Sequence, residues 1–140
     1  MNAKHLATFA LAATILLLPA ACAGVGGTTG DPLEGMSWRL TTLRGASLIP
    51  GTEITATFED GEVSGKACNT YGGSYQVNGD KLTMTDVFMT EMACLEPQGI
   101  MEQELAFFNL LTSAQSFNLT GGRLVILGAG GEELTFAPAQ

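Results

Sequence analysis

Two of the three cysteines in this chain, Cys68 and Cys94, lie in stretches of distinctive composition, ACNTYGGSY at residues 67–75 and MAC at 92–94. A thiol pair could cycle as a redox couple, hold a metal or close a covalent staple. Redox pairs are typically near neighbours, as in CxxC, and these two are far apart in sequence. A structural zinc site takes four Cys or His ligands. The single histidine, His5, falls in an N-terminal stretch with the pattern of a removable signal. Without it the remaining chain has no Ser-His-Asp or Cys-His machinery. Carboxylates are what is left: Asp86 and Glu91 could form the pair of acids that hydrolyses glycosides, but among fourteen acidic residues such proximity arises by chance. The sequence therefore assigns no catalytic residue, no cofactor and no metal ligand.

Whether Cys68 and Cys94 join depends on the compartment. The chain begins MNAKH, continues LATFALAATILLL and reaches LPAAC at residues 18–22. A short basic start, an apolar stretch and small residues before a cysteine make a secretory signal. The stretch is too short for a transmembrane anchor, which needs about 20 apolar residues. LPAAC resembles a bacterial lipobox, with Pro19 where leucine is usual and Leu18 one place back; ordinary cleavage at Ala21 or Ala23 is the competing reading. Lipidation of Cys22 would remove the odd thiol from a secreted chain and leave an even pair. The expectation is a signal peptide at 1–21 and a lipidated Cys22. A flexible tether at 22–32 (AGVGGTTGDP after the cysteine) and a domain at 33–138 would follow. In an oxidising envelope the two remaining cysteines pair as a disulfide, worth about 3–4 kcal/mol through the loop it closes.

The charge fits that setting. Six basic and fourteen acidic residues give a formal net charge of −8; loss of Lys4 with the signal would leave five against fourteen, or −9. Such a surface repels nucleic acid and anionic headgroups.

The elements that must position these residues are legible from turn signals. Asp60-Gly61, Asn78-Gly79, Gly121-Gly122 and the 128–131 run GAGG separate short alternating apolar runs, as tight hairpins require. Strands are expected at 36–43, 53–59, 62–68, 71–77, 81–85, 87–93, 115–120, 123–128 and 132–136, with Tyr71 and Tyr75 in packing positions. Residues 98–112, QGIMEQELAFFNLLT, break the pattern. Met101, Leu105, Phe108 and Leu111 recur at helical spacing, and Pro97 suits a helix start. The expected fold is α+β: a curved antiparallel sheet of about seven to nine short strands wrapped around one helix. That helix would bury Phe108, leave Glu102 and Gln103 at the surface, and leave no room for a lipocalin-like cavity.

GKACNTYGGSYQVNGDKLTM, then MTEMAC and EQELAFFNLL, resembles the META domain family, in particular its HslJ-like branch of heat-inducible bacterial lipoproteins. LEGMSWRLTTLRG, with Trp38, and the closing ELTFAP resemble that family's first and last strands. The matching positions are Cys68, Asn69, Tyr71, Gly73, Tyr75, Met92, Ala93 and Cys94, with Glu104 near a recurrent helix glutamate. Ala67 and Glu91 depart from the family pattern. The resemblance implies an envelope protein linked to heat response and antibiotic tolerance, and no established catalytic activity.

The functional expectation is a non-enzymatic lipoprotein held at the membrane by its N-terminal lipid. It would face the periplasm, in the outer membrane by the residue after Cys22, and would bind an envelope protein or small ligand in support of stress tolerance. The alternative is an acidic inhibitor of a basic enzyme such as a lysozyme.

Overall fold

A computed structural model describes residues 30–140. The expected signal peptide at 1–21, the expected lipidated Cys22 and the expected tether up to residue 29 lie outside the described residues. Nine strands and one helix follow in the order β1 (Met36–Leu43), β2 (Ala46–Ser47), β3 (Thr55–Glu59), β4 (Glu62–Lys66), β5 (Thr70–Asn78), β6 (Lys81–Met89), α1 (Ile100–Thr112), β7 (Ala114–Thr120), β8 (Arg123–Gly128) and β9 (Glu133–Pro138).

The strands run as an antiparallel meander, β1-β3-β4-β5-β6-β7-β8-β9, with the two-residue β2 on the edge of β1. β9 then returns to β1, pairing Trp38 with Pro138 and Leu43 with Leu134, so that eight strands close a barrel. The expected curved antiparallel sheet is thus a closed barrel. A twisted eight-stranded sheet can meet itself, and its interior is then just wide enough for its own side chains to fill. Alternation supplies those side chains. Phe58, Val63, Leu82, Leu124, Ile126, Leu134 and Phe136 are all fully buried, and the residues that alternate with them, such as Val125, Leu127 and Thr135, are half-buried or exposed. The left-handed Gly61, Gly79, Gly121 and Gly131 sit in the expected hairpins.

One seam is weak. β6 and β7 pair only at Lys81 and Ser116, so β6 continues to Met89 without a partner on that side. The connection between them is α1, and it covers one end of the barrel rather than lying inside the sheet. Leu110 packs over Gly128 at the end of β8, where an added Cβ would lie 3.1 Å from the leucine. Gln103 reaches the loop before β3, and Glu104 meets the residue before β5.

The helix buries Leu111 as expected but otherwise turns a different stripe inward. Its buried residues are Glu104, Phe107, Leu110 and Leu111, whereas Met101 and Leu105 are exposed and Phe108 is half-buried. Apolar residues surround this helix almost completely, so periodicity alone did not choose between adjacent stripes. A stripe through a glutamate was the less apolar choice.

The run 81–85 and only the first three residues of the expected run 87–93 form a single strand, β6 (Lys81–Met89), bent by a bulge; residues 90–93 are not strand. Gly72 faces Phe88 and Ser74 faces Thr85, so that Asp86 and Val87 together oppose Gly73. Asp86 takes a left-handed φ of 52° there, a conformation that aspartate tolerates better than most residues. Residues 90–99, carrying Met92 and Cys94, leave the sheet as an irregular segment.

Candidate functional site

The helix-covered end of the barrel gathers most of the positions singled out by sequence. Asn69 and Glu104 are the two buried polar or charged residues among those described, each 1% exposed. Asn69 donates its backbone N–H to Glu104 Oε1 at 2.5 Å and its side-chain Nδ2 to Glu104 Oε2 at 2.7 Å. Both carboxylate oxygens are thus held by one residue, in a two-pronged contact that charge-assisted bonding favours. The other side of the asparagine amide organises the 90–94 segment. Asn69 Oδ1 accepts from the Met92 N–H at 2.6 Å and from Thr90 Oγ1 at 2.9 Å, and Nδ2 also reaches the Met92 carbonyl at 3.2 Å.

Cys68 and Cys94 are bonded to each other, with Cα atoms 6.3 Å apart. The disulfide therefore fastens the same two segments that Asn69 joins by hydrogen bonds. Cys94 in turn donates its N–H to Met101 Sδ at 3.4 Å on the first turn of α1. Covalent bond, amide and carboxylate together tie the start of β5, the segment after β6 and the helix into one unit.

The tyrosines serve the core. Tyr71 is buried, donates Oη to the Thr55 carbonyl at 2.6 Å and meets Phe107 edge-on with ring centroids 5.4 Å apart. Its phenol lies over Gly65, where a Cβ would come within 2.5 Å of the hydroxyl oxygen. Tyr75 stands edge-on to Phe58 at 4.9 Å and donates to Glu34 Oε2 at 3.1 Å. Burial pushes both phenols well above their ordinary range, helped at Tyr75 by the carboxylates of Asp31 and Glu34. Gly73 is required by the bulge opposite it, because a Cβ there would lie 2.8 Å from the Val87 Cα. Met92 and Ala93 remain at the surface, Met92 with 55% of its area exposed. Asp86 and Glu91 are both exposed, one in the bulge and one in the irregular segment, so neither has the buried setting that tunes a catalytic acid.

Glu104 separates two kinds of surface. On one side lies a depression of about 290 Å³ with a mixed polar and apolar lining, formed by residues 51–55 and 66–68 with Ile100, Gln103 and Glu104. Gln103 spans it, accepting from the Ile49 N–H at 2.7 Å and donating to Thr52 Oγ1 at 2.9 Å. This corrects the expectation that Gln103 is a free surface residue. On the other side two shallow depressions of about 260 and 230 Å³ share Met89, Met101 and Glu104. Sequence reasoning reached Glu104 only through the family resemblance, missed Thr90 and Thr52, and gave Gln103 no role beyond the surface. The available signal was one acid on the stripe shared by Phe107 and Leu111, which helical spacing makes visible only once that stripe is known to be buried.

The comparisons with known proteins agree with this architecture. The sequence profile of the META domain matches residues 31–140. The chain is similar to an NMR structure of a protein from Burkholderia xenovorans, at 27% identity with a TM-score of 0.64, over 77% of this chain and 84% of that one. A second NMR structure is similar at 25% identity and a TM-score of 0.62, over 75% and 90% of the two chains. A DUF4847 family protein from Bacteroides vulgatus shares the fold, at 15% identity and a TM-score of 0.55 over 76% and 94% of the chains. No curated protein matches. A filled eight-stranded barrel, an end-covering helix and a Cys-Asn corner clasped by a helix glutamate are thus the form the family takes here, and the chain belongs to the META domain family.

Proposed function

We propose that this protein is a non-enzymatic lipoprotein of the bacterial cell envelope, anchored through Cys22 and facing the periplasm from the outer membrane. There it binds a partner at its surface and supports envelope integrity under heat or antibiotic stress. One observation carries the binding reading. The barrel interior is filled by its own side chains, and the buried polar pair Asn69 and Glu104 is engaged in holding the helix and the 90–94 segment. A filled barrel leaves the outer surface and the rim around α1 for recognition.

The test has two arms. Cys22→Ala should release the protein from membranes or leave its precursor unprocessed, and radiolabelled palmitate should label the unchanged protein; no label would refute the anchor. Photo-crosslinking in intact cells from positions around α1 should capture a discrete envelope partner, where crosslinks no denser than from the outer face of β8 would refute the binding reading.

The inhibitor reading draws on a different fact. Among the described residues the single salt bridge joins Arg44 and Glu132, so most carboxylates of a chain carrying −8 have no ionic partner. Capture of lysozyme that disappears at high salt would favour it.

A further inference from the structure

We propose that the groove between α1 and residues 89–93 is a docking site for a basic amphipathic segment of another polypeptide. This rests on the reading that the protein acts by binding.

The two depressions flanking Met101 lie side by side, with Met89, Met101 and the buried Glu104 in both linings. Their walls are mainly apolar and unusually rich in methionine. Met92, Met101 and Leu105 are 55%, 39% and 56% exposed, a cost that a monomeric surface ordinarily avoids. Methionine is flexible and polarisable, and clusters of it suit surfaces that repack around varied apolar side chains. Each depression is smaller than the roughly 300–1,000 Å³ of a small-molecule pocket, so the pair fits two side-chain anchors of a peptide better than one compact ligand.

Charge selects the occupant. Glu91 lines one depression and Glu102 the other, no Lys or Arg lines either, and neither carboxylate forms a salt bridge among the described residues. A second copy of this chain would bring the same carboxylates face to face in a two-fold contact, which like charges disfavour. An anionic bilayer would meet the same repulsion. A segment with apolar residues on one face and Lys or Arg on its flanks satisfies both features at once. The Asn69 clasp and the disulfide hold the 90–94 wall in place before any partner arrives, which lowers the ordering cost of binding.

The experiment uses the whole lipid-anchored protein in nonionic detergent and a fluorescent synthetic helix of about four turns, with leucines on one face and lysines on the flanks. Anisotropy is read against a titration of detergent alone. Saturable binding is expected, weakened at least about tenfold by Glu91→Lys combined with Glu102→Lys, and similarly by Leu105→Glu. It should also weaken as salt rises from about 0.05 to 0.5 M, and a peptide with glutamate in place of lysine should not bind. All three substitutions are at exposed positions, and an unchanged melting curve with the disulfide intact certifies the fold.

Binding that ignores these substitutions overturns the proposal, as does equal binding of the acidic peptide. Groove-dependent adhesion to phosphatidylcholine vesicles without peptide binding overturns it in favour of a lipid surface, and groove-dependent self-association overturns it in favour of a second copy. A failed palmitate test strikes the envelope reading alone, since the peptide titration does not depend on anchoring.

Discussion

The two ends of this molecule are built on different physics. Through most of the barrel, strands bury apolar residues against one another, and the hydrophobic effect needs only the right pattern and volume. Phe58, Leu124 and Phe136 could be exchanged for similar residues with modest loss. At the helix-covered end, a buried glutamate and asparagine satisfy each other and the backbone of an irregular segment. Such a network gains little over an apolar replacement but suffers heavily when one member is removed. The comparison teaches that the first region makes the fold stable, while the second decides where the helix and the 90–94 segment must lie.

The sharpest way to break that contrast is Asn69→Ala, which keeps the backbone donor to Glu104 Oε1 but strips Oε2 and the Met92 N–H of their side-chain partner. A loss of about 3–5 kcal/mol is expected in denaturant melts. Glu104→Met combined with Asn69→Leu should cost clearly less than the two single changes added together, because the carboxylate and the amide that face each other are then removed as a pair, while the N–H groups of residues 69 and 92 lose their acceptors only once. Additive costs would show that the two residues do not act as a unit. Phe107→Ala belongs to the same range, about 3–5 kcal/mol for emptying an aromatic site, and should exceed Phe108→Ala several-fold. Equal effects would place the helix face wrongly.

The disulfide offers a slightly smaller handle. Cys68→Ala with Cys94→Ala should lower stability by about 3–4 kcal/mol in the chain-entropy view. Hydrogen exchange should then rise first in residues 90–99 and the first turn of α1, with the barrel hairpins protected. Exchange that rises uniformly would mean that the corner is no separate unit.

Alkaline titration probes the barrel side. Both tyrosines of the chain are buried with phenols raised far above the usual value of about 10. A raised acid favours the protonated folded form, so its contribution is fully present below about pH 10 and falls as pH rises past the unfolded value. Phenolate absorbance should therefore appear together with loss of near-ultraviolet circular dichroism above that pH. A normal phenolate titration in folded protein would contradict the burial. The smallest expected effect separates two neighbours on α1: Gln103→Ala should cost about 1–2 kcal/mol through its two hydrogen bonds, and Glu102→Ala less than about 0.5.

Much of the fold was legible beforehand because its signals are local. Turn glycines separated the hairpins, alternation marked β1 and β8 at their full lengths, and one stretch of helical spacing marked α1 to within two residues. The pairing of Cys68 with Cys94 followed from cysteine count and compartment. The bulge was less accessible. Its sign in the sequence was an interruption between 85 and 87, which reads equally well as the end of one strand and the start of another. Of the helix-end site, Asn69, Met92 and Ala93 entered through the family motif, while Thr90, Thr52 and Gln103 gave no sign because their roles depend on residues distant in sequence.

The sequence by itself determined an antiparallel meander with a single helix, since these follow from backbone preferences within a few residues, and one covalent staple, which followed from the number of cysteines. Only the tertiary structure decided that β9 closes onto β1, because closure depends on the summed twist of eight strands. It alone also decided which stripe of α1 is buried. The stripe through Glu104 prevails over the more apolar one because Asn69, 35 residues away, supplies the two donors that make a buried carboxylate tolerable.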